Sequence, residues 1–189
     1  GIHAQAGAMS TGKRLILTGV KGSGKSSLCQ KIARFAKDSG VDIKGLISPA
    51  AVEAGDKIGI DLVDLGSGRR FRLANKRQGG ASSALVTRRW VFDPEIMAWG
   101  NTVLAESTPC ELLVIDELGS LEFERGEGWL AGFTALDQGR YQAALVVVRP
   151  DLVAAALKRW PDAGQIEIQS PSQIPELFQA ALQRLGLIG

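Results

Sequence analysis

The sequence predicts a three-layer α/β fold on a mainly parallel sheet, and three observations predict it. Short apolar runs alternate with segments of helical periodicity along most of the chain. The first run, "KRLILTGV" (13–20), leads through a glycine-rich loop into a helical pattern. A later run, "CELLVIDELG" (110–119), ends in paired carboxylates, which puts polar chemistry at a strand end, where open parallel sheets bind their ligands.

Taken in order, residues 13–20 read as a buried strand ending in glycine. Leu28, Ile32 and Phe35 then recur at helical spacing, and Gly40 stops the pattern. "VDIKGLIS" (41–48) reads as a second strand. From Lys57 the period becomes two, through Ile58, Ile60 and Leu62. "GSG" (66–68) supplies a turn, after which Phe71 and Leu73 point inward while Arg70 and Arg72 point outward. This is an antiparallel hairpin over 55–75, inserted in the sheet or extending its edge. Residues 75–89, polar, basic and rich in glycine and serine, read as a mobile surface loop. Pro94 opens a helix to about Ala105, with Asp93 as its cap. Trp129, Phe133 and Leu136 mark another helix, "YQAALVVVRP" a buried strand, "DLVAAALKRW" a helix and "GQIEIQ" a short strand. Leu177, Phe178, Ala181, Leu182 and Leu185 form the last helix, stopped by Gly186.

Composition narrows the function. The 189 residues suit one domain over 9–189, with residues 1–8 read as an expression remnant ahead of Met9. A net charge of +2 does not by itself imply nucleic acid, and no apolar stretch approaches the roughly 20 residues that span a bilayer. Cys29 and Cys110 are far apart and the sole histidine is His3, so zinc, a disulfide framework and histidine catalysis find little support. A reduced, cytoplasmic protein is expected.

The stretch Gly19, Val20, Lys21, Gly22, Ser23, Gly24, Lys25, Ser26 matches the Walker A pattern G-x-x-x-x-G-K-[ST], in the strand-to-helix context that the motif requires. Its glycines let successive N–H groups turn toward a phosphate, and the helix N-terminus adds positive character. Lys25 is expected on the β- and γ-phosphates and the Ser26 hydroxyl on Mg²⁺, with Ser27 a first-turn helix residue beside the site. Asp116, after an apolar run, fits the Walker B carboxylate that holds Mg²⁺ together with Ser26; magnesium keeps several waters and needs few protein ligands. Glu117 next to it is the best-placed general base for water. Glu122 and Glu124 read as surface carboxylates, with Glu122 a further candidate, weaker than Glu117, for the water-positioning network.

Several stretches, "LTGVKGSGKSSL", "SGVDIKGLIS", "KIGIDLVDL", "VIDELGSLE" and the tail "ALVVVRP…LKRWPD…IEI", together resemble the small P-loop nucleoside-triphosphatases of thermophiles and animals. They keep the family's order and span nearly the whole chain from Lys13. The resemblance implies a RecA-like core and Mg²⁺-dependent hydrolysis of ATP, GTP and other nucleoside triphosphates to diphosphate and phosphate. By position it carries phosphate binding to Gly19, Gly22, Gly24, Lys25 and Ser26, Mg²⁺ chemistry to Asp116 and water activation to Glu117. The chain departs where the family has T-x-E-V-R entering the hairpin: Ala51 and Val52 stand in place of Val and Arg, with a basic residue at Lys57. It also lacks the family's small polar residue within "LVVVRP".

Other features stay open between two readings. The basic cluster Arg69, Arg70, Arg72, Lys76 and Arg77 is a triphosphate or RNA clamp, or a solvated face. Arg88 and Arg89 offer an arginine finger in cis, and Arg149 is a γ-phosphate contact or a surface residue. Trp90, Trp99, Trp129 and Trp160 are expected in packing rather than base stacking. Against the hydrolase stand a nucleoside or nucleotide kinase, which needs an acceptor pocket, and a slow nucleotide-dependent switch or adaptor in cofactor assembly or transport.

Overall fold

The computed structural model describes residues 12–77 and 89–189. The proposed leader and residues 78–88 of the expected basic loop, Arg88 among them, lie outside the described residues.

Among the described residues nine strands form one sheet: β1 (Lys13–Thr18), β2 (Ile43–Ile47), β3 (Ala50–Glu53), β4 (Asp56–Asp64), β5 (Arg70–Lys76), β6 (Trp90–Phe92), β7 (Cys110–Leu118), β8 (Tyr141–Val148) and β9 (Gly164–Glu167). The helices are α1 (Lys25–Asp38), α2 (Pro94–Ala105), α3 (Ser120–Phe123), α4 (Leu130–Gln138), α5 (Val153–Arg159) and α6 (Ile174–Arg184). Strand order is β6-β5-β4-β2-β7-β8-β1-β9, with β3 also on β4. The run β2-β7-β8-β1-β9 is parallel, while β4, β5, β6 and β3 add an antiparallel wing beyond β2.

Alternation along β7 shows why three layers form. Leu112 and Val114 enter one hydrophobic cluster, with Leu28, Ile32 and Ala36 of α1 and Ala181 and Leu182 of α6. Leu113 and Ile115 enter the other, with Leu104 of α2, Phe133 and Leu136 of α4 and Ala156 of α5. A strand apolar on both faces must be covered on both, which is how buried parallel sheets read in sequence. Cys29 and Cys110 are buried thiols in opposite clusters. Among the described residues no helix is long and apolar enough to cross a membrane.

The expected elements are found, with adjustments at the edges. The 55–75 hairpin continues the sheet through a β2–β4 pairing, and its tip is tied by Asp64, which accepts from Gly66 N–H at 2.9 Å and Ser67 Oγ at 2.8 Å. Asp93 caps α2, accepting from Glu95 N–H at 2.9 Å. Strands β3 and β6 escape a periodicity reading: β3 offers one buried side chain, Ala51, and β6 has three residues. The segment expected as one helix from Asp151 begins as a 3-10 turn, Pro150–Leu152, before α5.

Leu113 is fully buried between β7's neighbours and the α2/α4 layer. Replacing it with alanine is expected to lower stability by about 2–5 kcal/mol. Equilibrium urea unfolding should show a lower midpoint with an unchanged slope.

Candidate functional site

The carboxyl ends of β1, β2, β7 and β8 meet at a cleft of about 1370 Å³. Residues 19–24 bridge β1 to α1, with Gly24 capping the helix at φ 99°. No side chain caps α1 and its first turn has no acid, so its first N–H groups lack a side-chain acceptor and make an anion site. Gly19 is required by close approach, since a Cβ there would run into Ser23 Oγ and the Ile168 carbonyl. Ser23 N–H donates to the Val20 carbonyl at 3.0 Å, closing the turn. Of the expected nucleotide-binding residues, Lys21, Gly22, Gly24, Lys25, Ser26 and Ser27 line the cleft. Ser23 is buried beneath the loop and Val20 is exposed to solvent.

Across the cleft, Asp116 ends the apolar part of β7 and is 2% exposed. Ser48, just after β2, clamps it: Ser48 N–H donates to Asp116 Oδ2 at 3.2 Å, and Ser48 Oγ donates to the Asp116 carbonyl at 3.0 Å. Burial pushes the Asp116 carboxyl up to about 6, the Ser48 N–H pulls it down, Glu117 adds to the rise, and Lys25 and Lys57 oppose it. The β7–β8 register shifts between Asp116 and Leu118, so Glu117 sits in a bulge. Leu118 therefore returns to the cluster of Leu113 and Ile115, which strict alternation would have denied it. Bulges re-aim side chains, and Glu117 lines the cleft beside Asp116. Sequence reading missed Ser48, which shows only as the polar end of a strand, and missed the bulge.

The antiparallel wing supplies the third wall, and here the basic cluster divides. Arg70 and Arg72 pair with Asp61, each at 2.8 Å, on the exposed side of the wing. The Arg69 guanidinium lies 5.3 Å from the Phe71 ring centroid. Lys76, Arg77 and Arg89 instead line the cleft, with Lys57, Trp90 and Phe92. Arg77 N–H donates to the Arg89 carbonyl at 2.8 Å, joining the two sides of the β5–β6 connection. Lys57 stands directly across from Val52 in the β3–β4 pairing, so the basic residue missing at 52 has its counterpart one strand over. Trp129 and Trp160 are core and Trp99 packs edge-on against Phe71, as expected; Trp129 also borders the cleft, with Trp90. Arg149, which ends the β8 segment between β1 and β7, lines it too.

Glu122 is not a surface carboxylate. It is 7% exposed in α3, lines the cleft and accepts from Gly119 N–H at 3.4 Å. Gly128 packs against it so closely that a Cβ there would meet the carboxyl group at 2.8 Å. Burial pushes Glu122 up to about 7, backbone N–H donors from Trp129 and Gly119 pull it down, and Glu117 adds to the rise.

Among the described residues no group of three or more His, Cys, Asp or Glu side chains could hold a metal. The cleft lining does include a hydroxyl, Ser26, and a carboxylate, Asp116. These are hard oxygen donors suited to an ion that keeps waters and shares phosphate oxygens, as Mg²⁺ does.

A family model described as NTPase matches residues 14–149. Nucleoside-triphosphatase THEP1 of Hyperthermus butylicus is 30% identical over 176 residues, covering 90% of this chain and 91% of that protein. The protein of the same name from Pyrobaculum aerophilum is 35% identical over 113 residues, 59% of this chain and 60% of that one. The chain thus spans about 60% of the length of the first such relatives. The solution structure of a human cancer-related nucleoside triphosphatase superposes with a TM-score of 0.66 at 21% identity, over 90% of this chain and 98% of that one; the likeness is one of fold.

A carboxyl whose native pKa lies above its unfolded value stabilises the fold below the ordinary carboxylate range, and that stabilisation is lost as pH rises toward the native value. With Glu122 at about 7, the loss falls between roughly pH 4.5 and 7. Glu122→Gln, which carries no charge, should therefore gain on wild type by about 1–3 kcal/mol between pH 5 and pH 8. Urea unfolding of both proteins at the two pH values measures it, and a pH-independent difference would contradict the assignment.

Proposed function

Since the chain belongs to the NTPase family, on the match over residues 14–149, we propose that it is a Mg²⁺-dependent nucleoside-triphosphatase, turning ATP, GTP and other nucleoside triphosphates into diphosphate and phosphate. One observation carries this reading: the P-loop and the Asp116–Glu117 pair open on the same cleft with β8 between their strands. Two inter-strand spacings, about 10 Å, leave room for a terminal phosphate and a water between the walls. Residues 9–189 act as one domain, and the buried thiols Cys29 and Cys110 suit a reducing cytoplasm.

In this reading the backbone N–H groups of residues 19–25 and the Lys25 ammonium hold the β- and γ-phosphates. Ser26 and Asp116 would hold Mg²⁺, which when bound would neutralise phosphate charge. Ser48 keeps the Asp116 carboxylate aimed into the cleft. Glu117 accepts a proton from the attacking water as the water oxygen bonds to the γ-phosphorus. The bond from γ-phosphorus to the bridging oxygen breaks, and the diphosphate leaves with that electron pair.

A kinase is the second reading, favoured by the continuation of the cleft to Lys76, Arg77 and Arg89, where an anionic acceptor would fit. Phosphate release from ATP or GTP with Mg²⁺ and no acceptor decides between them. Glu117→Gln should cut release by about 10²–10⁴-fold while leaving nucleotide affinity within a few-fold of wild type. Chelation with EDTA should abolish turnover and added Mg²⁺ restore it. Transfer seen only when a nucleoside or nucleoside monophosphate is added would establish the kinase instead.

A further inference from the structure

Several cations of the cleft have no part in the hydrolytic assignment above, and two of them, Arg149 and Lys57, stand out by their surroundings. Arg149 follows β8, the strand between the P-loop strand and the Asp116 strand. Its Nη2 reaches Asp151 at 3.4 Å, yet its Nε is buried with no acceptor among the described residues. An arginine N–H shut away from water calls for an acceptor. Lys57 comes from the opposite side, near the start of β4 in the wing, with its Nζ 4.9 Å from the Trp90 ring centroid. Its charge is felt by Asp116, and it in turn feels Lys21, Glu117 and Arg89, so groups from four separate segments converge there. Among the described residues Lys57 forms no ion pair. A buried donor without an acceptor and several cations drawn together are both relieved by one anion lying between them.

We infer that Arg149 and Lys57 hold the terminal phosphate of the bound nucleotide from two sides and so discriminate triphosphate from diphosphate. This rests on the P-loop taking the β-phosphate, as in the proposed function, which sends the γ-phosphate toward β7 and past the end of β8. The guanidinium fork can take two phosphate oxygens, and the lysine adds a point charge guided by Trp90. No bond is made or broken by either residue. Both meet charge that spreads over the terminal oxygens as the phosphoryl group transfers, so their loss should also slow turnover.

The test is binding of ADP and of the β,γ-imido analogue of ATP, each with Mg²⁺, by titration calorimetry of wild type, Arg149→Gln, Lys57→Gln and Lys57→Arg. Arg149→Gln and Lys57→Gln should each weaken the analogue roughly 10- to 100-fold, the range of a charge-assisted hydrogen bond, and leave ADP within about 3-fold. Lys57→Arg, which keeps the charge, should restore most of the loss. Equal weakening of ADP and analogue, or analogue affinity unchanged in both glutamine variants, would overturn the clamp. Because the readout is binding, it stands apart from catalysis: a wild type that discriminates the two ligands but releases no phosphate sinks the hydrolase reading and leaves the clamp in place.

Discussion

Burial of β7 and β8 on both faces is the constraint from which the rest of this molecule follows. From Leu112 to Ile115 and from Ala143 to Val148 the side chains are closed off from solvent by helices on either side. An ionised group within those stretches would have to give up its hydration with no compensating partner. Polar side chains can therefore emerge only where the strands run out, and parallel strands run out along the same edge. Asp116, Glu117, Ser48, Arg149 and the P-loop share a cleft because the interior leaves them nowhere else to go.

The cleft has its own balance. Lys25 and Lys57 favour the ionised form of Asp116, which burial and Glu117 oppose. The carboxylate is thus held by backbone and by cations rather than by solvent, a preorganised arrangement that needs little rearrangement when a polyanion arrives. The wing matters for this reason. Without β4, β5 and β6 the P-loop would face open water; with them, Lys57, Lys76, Arg77 and Arg89 form a positive wall opposite it.

Legibility in the sequence tracked how local the physics was. The P-loop, the β7 run into Asp116 and the Asp93 cap each depend on a few neighbouring residues, and each stands where the pattern puts it. The 55–75 alternation marked a hairpin, but nothing local revealed that β4 would pair with β2 and bring Lys57 to the cleft. Glu122 is another non-local case: its burial comes from Gly128 and the start of α4, not from its own surroundings in "LGSLEFE". The basic cluster mixed two fates because the β4–β5 register shifts between Ile60 and Asp61 and passes over Leu73, so the alternation that sets Arg70 and Arg72 does not carry on to Lys76. Arg70 and Arg72 fall on the side of Asp61, whereas Lys76 and Arg77 fall where β5 meets β6 beside the P-loop.

The bare amino end of α1 has a consequence for the lifetime of the protein. A helix with neither a capping side chain nor an acid in its first turn leaves its leading donors to whatever acceptor the surroundings provide. On the proposed function, the phosphate chain of a bound nucleotide would complete that helix as a cap does. Any ligand that binds the folded chain alone adds about 2.7 kcal/mol at a concentration one hundred times its dissociation constant. On the proposed function, the resistance of this molecule to unfolding and proteolysis would rise with the nucleotide concentration around it.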